Sequence, residues 1–164
     1  MKLLIASQNK HKIEEIKQIF NLTNVELLNL EQFNDQDDVV EDGQTFLDNA
    51  ILKAKYFAKK YHIPTLSDDS GLVVEALYGM PGIHSKRYSG GNDKDNYIKL
   101  LDEMKHIKQR QAYFITVIAI YFPNGHIFHF EGRVNGEIAM TPKGENGFGY
   151  DPIFYIPSLG KHMA

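Results

Sequence analysis

Ala112 to Phe122 and His126 to Val134 are two runs of aromatic and β-branched residues separated only by Pro123-Asn124-Gly125, a combination that predicts a β-hairpin. Its two strands must run antiparallel, so a sheet that contains them is not wholly parallel. Upstream the chain has a different rhythm. Lys2 to Ala6 reads as a buried strand, and Ile13, Ile16 and Phe20 then recur at helical spacing with Glu14, Glu15 and Lys17 between them. Val25 to Leu30 predicts a second strand. Glu31 to Asp42 follows as an acidic segment with six carboxylates, read as a solvated loop. Thr45 predicts a helix N-cap with Asp48 in the capping-box position, and Phe46, Ala50, Ala54, Phe57 and Tyr61 form an apolar stripe.

Pro64 ends that helix and leads into a strand through Leu66-Ser67-Asp68-Asp69. Gly79-Met80-Pro81-Gly82 and Ser89-Gly90-Gly91-Asn92 are loops, and Tyr97 to Ile107 predicts a helix that turns Ile98, Leu101 and Met104 inward. After the hairpin, a turn-rich stretch from Thr141 to Pro152 leads to Ile153 to Ile156. Helices alternating with strands, followed by a hairpin, predict an α/β protein with a mixed sheet. Two lobes would suit the placement of the loops.

Composition narrows the function classes. With 164 residues the chain can bury roughly 70% of the surface that it exposes when unfolded, enough for a real core. Apolar residues make up 43% and no apolar run approaches the roughly 20 residues of a membrane span, so a membrane protein is not expected. The net charge of -3 provides no general attraction to nucleic acid. The absence of cysteine excludes disulfides and thiolate catalysis. Met1 to Ser7 is too short an apolar run for a signal peptide, which makes the cytoplasm the expected location.

Three segments carry chemistry. Ser7-Gln8-Asn9-Lys10-His11-Lys12 joins a strand to a helix, where backbone N–H groups, the helix dipole and two lysines can converge on an anion. Leu66-Ser67-Asp68-Asp69-Ser70-Gly71 ends an apolar run in adjacent carboxylates. Because strand side chains alternate, both can face one site only if the strand stops there, and Ser70-Gly71 is read as that stop. Magnesium takes oxygen ligands and uses one or two carboxylates beside substrate phosphates, which suits Asp68 and Asp69 with Glu41 as a further carboxylate. A water held between such a metal and an ionised aspartate is a ready nucleophile toward phosphorus. Lys53, four residues after Asn49 on one helix face, can neutralise phosphate charge.

The third segment is Gly147-Phe148-Gly149-Tyr150-Asp151-Pro152, where Phe148 can stack on a base and Asp151 can accept from base N–H groups. A core-facing Tyr150 beside a tight turn is the better structural reading of that residue. The histidines show no metal-ligand spacing, and His84, His126 and His129 read as surface or loop residues.

Taken together these segments resemble the inosine triphosphate pyrophosphatase family of dITP/XTP, or non-standard purine nucleoside triphosphate, pyrophosphatases. The resemblance rests on Ser7-x-Asn9-x-x-Lys12, Glu41-x-Gly43-x-Thr45-Phe46-x-x-Asn49-Ala50-x-x-Lys53-Ala54, Asp68-Asp69-Ser70-Gly71-Leu72, Pro81-Gly82-Ile83 with Arg87-Tyr88-Ser89-Gly90, and Gly147 to Pro152. It implies a two-lobed α/β fold with a long mixed central β-sheet flanked by helices, acting as a homodimer with Mg2+ on a purine nucleoside triphosphate. The implied reaction converts ITP, dITP or XTP to the monophosphate and pyrophosphate.

By matched position, Ser7, Gln8, Asn9, Lys10, His11, Lys12 and Lys53 would hold the triphosphate. Asp69 would accept a proton and bind metal, with Glu41 assisting. Ser70, Phe148, Gly149, Tyr150 and Asp151 would contact substrate. Asp42, His84 and Lys86 differ from the residues usual at those places. The family pattern runs on past Gly160-Lys161 to a lysine and a Ser-His-Arg motif that contacts the base, whereas this sequence ends at Ala164. The expectation is therefore one domain over 1–164 without that C-terminal segment. Two alternatives accompany it: a nucleotide-binding protein with impaired catalysis, and a Maf-like nucleotide pyrophosphatase with another base preference.

Overall fold

The computed structural model describes residues 1–21 and 23–164. Among the described residues seven strands form one sheet: β1 Lys2–Ile5, β2 Glu26–Asn29, β3 Thr65–Val74, β4 Gln111–Tyr121, β5 Ile127–Ile138, β6 Phe154–Ile156 and β7 Lys161–His162, in the order β2-β1-β3-β4-β5-β6-β7. β1 is parallel to both β2 and β3, whereas β6 is antiparallel to β5 and to β7. The mixed sheet is thus present. The chain divides into two compact units, Met1–Asp69 with Val117–Glu131, and Ser70–Thr116 with Gly132–Ala164.

In the first unit Leu3, Leu4 and Ile5 of β1 are all fully buried, as a parallel strand covered on both faces requires. Alternation then sorts the helices. Leu3 and Ile5 pack with Ile13 and Ile16 of α1 (Lys10–Phe20), while Leu4 and Ala6 pack with Phe57 of α2 (Phe46–Tyr61). The two helices therefore cover opposite faces of β1.

Each helix begins on a side-chain cap. Asn9 accepts from the N–H groups of His11 and Lys12, and Thr45 Oγ1 accepts from Asp48 N–H at 3.0 Å. The return bond of a capping box goes one residue outward, from Gln44 N–H to the Asp48 carboxylate at 3.3 Å. At the hairpin, Gly125 takes φ +95° and its N–H donates to Phe122 O at 2.8 Å.

The acidic segment departs from its solvated reading at Asp35. Its side chain is 1% exposed, with Lys60 Nζ at 2.7 Å and the Tyr61 hydroxyl donating to the same oxygen. Lys60 also pairs with Asp37 at 2.7 Å, and Tyr56 donates to that residue's carboxylate. The last two turns of α2 thus clamp the segment that leads to Glu41.

The second unit buries Leu72, Val74, Leu100, Met104, Ile138, Ile153 and Phe154 in one cluster. Its helix α3 spans Asp93–Glu103, starting at Asp93 rather than Tyr97 because Asn92 and Asp95 cap each other reciprocally. Asn96, Leu100 and Met104 are buried, whereas Ile98 is 47% exposed, contrary to the expectation for Ile98.

Candidate active site

β3 does not end at its aspartates; it continues through Ser70 and Gly71 to Val74. Asp68 and Asp69 therefore point to opposite faces. Asp68 Oδ2 meets Lys12 Nζ of α1 at 2.8 Å, and Asp69 Oδ2 accepts from Asn49 Nδ2 of α2 at 3.2 Å. The expected stop fails because Gly71 is itself a buried strand residue, so the ladder is not interrupted there.

One turn along α2 from Asn49, the Lys53 ammonium donates to the main-chain oxygen of Asp68 at 2.8 Å and pairs with Glu41 Oε1 at 2.8 Å. Spacing alone had placed Asn49 and Lys53 on one face, and that face turns toward the aspartate strand. Asp69 is only 9% exposed. Burial, joined by the nearby negative charge of Glu41, pushes its carboxyl up to about 6; the Asn49 hydrogen bond and the charges of Lys53 and Lys12 oppose that shift. A carboxyl held near neutrality in this way suits proton transfer.

In the Ser7 to Lys12 loop, Ser7 Oγ accepts from Asn9 N–H at 3.1 Å, and Asn9 Oδ1 accepts from His11 and Lys12 N–H at 3.0 and 3.4 Å. The first helical amides are thus capped from within the loop. Cationic side chains then carry the capacity for anions: Lys10 is exposed and Lys12 is half-buried against Asp68. Gln8 Nε2 donates to Asp37 O at 3.4 Å, which ties this loop to the clamped acidic segment.

In the second unit, Ser70 Oγ and Thr116 Oγ1 are 3.0 Å apart. Asp151 Oδ2 accepts from Phe148 N–H at 3.0 Å, and Gly149 N–H donates to Asp93 Oδ2 at 3.0 Å. Gly147 allows this turn, since a Cβ there would lie 2.1 Å from Asp151 Oδ2. Tyr150 is buried and its hydroxyl donates to Ser85 O at 2.6 Å, as its structural reading predicts. Phe148 is 36% exposed.

The profile of the Ham1 family matches residues 3–164. This chain belongs to the Ham1 family. Among its relatives, the dITP/XTP pyrophosphatase of Thermus thermophilus is 44% identical over 167 residues, covering 100% of this chain and 80% of that protein. The protein of the same name from Acholeplasma laidlawii is 46% identical over 154 residues, 94% of this chain and 76% of that protein.

Solved Ham1 structures share the fold. The Staphylococcus aureus Ham1 protein superimposes with a TM-score of 0.91 at 44% identity, covering 100% of this chain and 85% of that one. A HAM1 protein from Coxiella burnetii gives 0.93 at 37% identity, with 100% and 86% covered.

The donor chemistry of this Ham1 site fits magnesium. Asp69 and Glu41 are close enough for one charge to raise the pKa of the other, and both offer hard oxygen ligands. Among the described residues no three His, Cys, Asp or Glu side chains gather as a complete metal cage. Magnesium needs no such cage where substrate phosphates and water complete its shell. Asp68 lies on the other face of β3, against Lys12. Sequence reasoning passed over Asn49 as a site residue and Asp35, Lys60 and Tyr61 as a clamp. For Asn49 a signal existed in its four-residue spacing from Lys53; for the clamp there was none.

Proposed function

We propose that this chain hydrolyses the non-standard purine nucleoside triphosphates dITP, ITP and XTP to the monophosphate and pyrophosphate, clearing them from the nucleotide pool. The observation that carries the reading is the buried Asp69, its carboxyl raised to about 6, in a Ham1 chain that is 44% identical to a dITP/XTP pyrophosphatase over 80% of that protein. In the reaction Asp69 takes a proton from water as the water oxygen bonds to the α-phosphorus. The bond from that phosphorus to the α–β bridging oxygen breaks, and pyrophosphate leaves with the electron pair. Lys12 and Lys53 neutralise charge on the phosphates and the leaving group. Asp68 and Glu41 keep those ammonium groups aimed, each at 2.8 Å.

Asp69 and Glu41 would hold Mg2+, which when bound polarises phosphoryl oxygens and lowers the pKa of water. Asp68, predicted as a further ligand, is proposed instead to orient Lys12. Ser7 to Lys12 are assigned to the triphosphate and Ser70 with Phe148 to Asp151 to the nucleoside; the exposed Phe148 supports a stacking role. A homodimer is part of the proposal, supported by Ile127, Phe128 and Phe130 of β5, which are 41%, 54% and 61% exposed. So is a cytoplasmic location, where nucleotide pools reside; no helix among the described residues is long and apolar enough to cross a membrane.

The test is pyrophosphate release from dITP, ITP, XTP, ATP, GTP and dTTP, with and without magnesium. Magnesium-dependent release that favours the first three is expected. Equal rates on ATP and GTP, or none on any, would overturn the reading.

A further inference from the structure

Asn49 is 2% exposed, bears no charge and sits between two partners on different segments. Its Oδ1 accepts from Gly43 N–H at 2.9 Å, and its Nδ2 donates to Asp69 Oδ2 at 3.2 Å. The order of these bonds is forced. A main-chain N–H can only donate, so the amide atom facing Gly43 is oxygen and the one facing Asp69 is nitrogen. That nitrogen in turn can only donate, so Oδ2 of Asp69 must accept and cannot carry a proton on that side.

Gly43 makes this approach possible. A Cβ at position 43 would fall 2.7 Å from Asn49 Oδ1 and 2.5 Å from Asp48 Cβ, so any side chain there displaces the amide or the helix start. Glu41 lies only two residues before Gly43 in the chain. The same bond that orients Asn49 thus fastens the Glu41 segment to the first turn of α2.

Resting on the hydrolase reading above, we infer that Asn49 is a positioning residue. Through Gly43 it commits Oδ2 of Asp69 to the framework, which leaves Oδ1 as the oxygen that faces the reaction. It acts through Asp69 and need not touch substrate.

The test compares Asn49→Leu and Gly43→Ala, singly and together, with the unmodified full chain on dITP at saturating magnesium. Each single variant is expected to lose about 10- to 100-fold in kcat, the usual effect of removing an orienting partner, with KM changed less than about threefold. Because each removes the Gly43–Asn49 bond, the double variant should lose clearly less than the product of the two single losses. A kcat for Asn49→Leu within about twofold of the unmodified chain, or losses that multiply, overturns the inference.

Should Asn49→Leu fail to fold, Gly43→Ala carries the kinetic test. If the unmodified chain releases no pyrophosphate, the hydrolase reading falls, and NMR judges the bridge separately. Asp69→Ala should then shift the Asn49 side-chain amide and Gly43 N–H resonances together. Shifts confined to residue 69 and its chain neighbours overturn the bridge.

Discussion

Lys12 and Asp68 form an ion pair at 2.8 Å whose carboxylate side chain is 5% exposed while the ammonium side chain is 22% exposed. The pair is lopsided in a useful way. The buried partner depends on the cation for its solvation, and the cation retains a side from which an anionic ligand can approach.

Truncating Lys12 to Ala therefore has two separable effects. Removing the cation beside the buried Asp68 carboxylate costs about 2–4 kcal/mol of stability, read by denaturant unfolding. The double variant Lys12→Ala with Asp68→Asn should recover much of that stability, since the carboxylate charge is removed together with its cation. Its KM for dITP should stay raised about tenfold or more, because the phosphate partner is still missing. Recovery of affinity together with stability would show that Lys12 has only a structural role.

Asp69→Asn is expected to lower kcat by about 10²–10⁴, the contribution of a positioned base. It should also stabilise the metal-free protein. The folded pKa of about 6 lies above the ordinary 3.8, so the native state binds more protons than the unfolded chain between those values, and stability falls as pH rises through them. Above pH 7 the variant, spared that loss, should be more stable by about 1–3 kcal/mol. Below pH 4 the two proteins should converge. Unfolding in chelator across this range checks the sign.

Asp35 provides the opposite sign. Hydrogen bonds from Lys60 and Tyr61 outweigh burial and lower its carboxyl from 3.8 to about 2. Its stabilisation is present above the unfolded value and is lost as pH falls through the folded one. Asp35→Asn should cost at most about 2 kcal/mol at pH 7, and most of that deficit should be gone by pH 2 and the rest below it. A deficit independent of pH would mean that packing, not charge, holds the clamp.

Phe148→Ala removes a ring that is 36% exposed, so melting should change little. Losing a stacking surface worth about 1–3 kcal/mol should raise KM for dITP by about tenfold. An unchanged KM would remove Phe148 from the nucleoside contacts.

Local order was legible in this chain because it depends on near neighbours. Pro123-Asn124-Gly125 turns the hairpin, Asn9 and Thr45 cap α1 and α2, and Asn49 and Lys53 share a face, each through residues no more than four apart. The family pattern likewise sits in short, ordered segments. Ile98 shows the limit even there: it is apolar at helical spacing yet 47% exposed, while Leu100 is the residue that packing turns to the core.

The sequence by itself determined the mixed α/β class, the positions of α1, α2 and the hairpin, and the residue types from which a phosphate and metal site can be built. Only the tertiary structure decided that β3 runs on through Gly71 and so parts Asp68 from Asp69, and that Asp35 reaches Lys60 across 25 positions of chain. It also decided that Asp69 titrates near neutrality rather than as an ordinary carboxyl. The reason is physical: a side chain's type and its neighbours in sequence are local properties, whereas its burial, its facing partner and hence its charge state arise from segments brought together by the packed sheet.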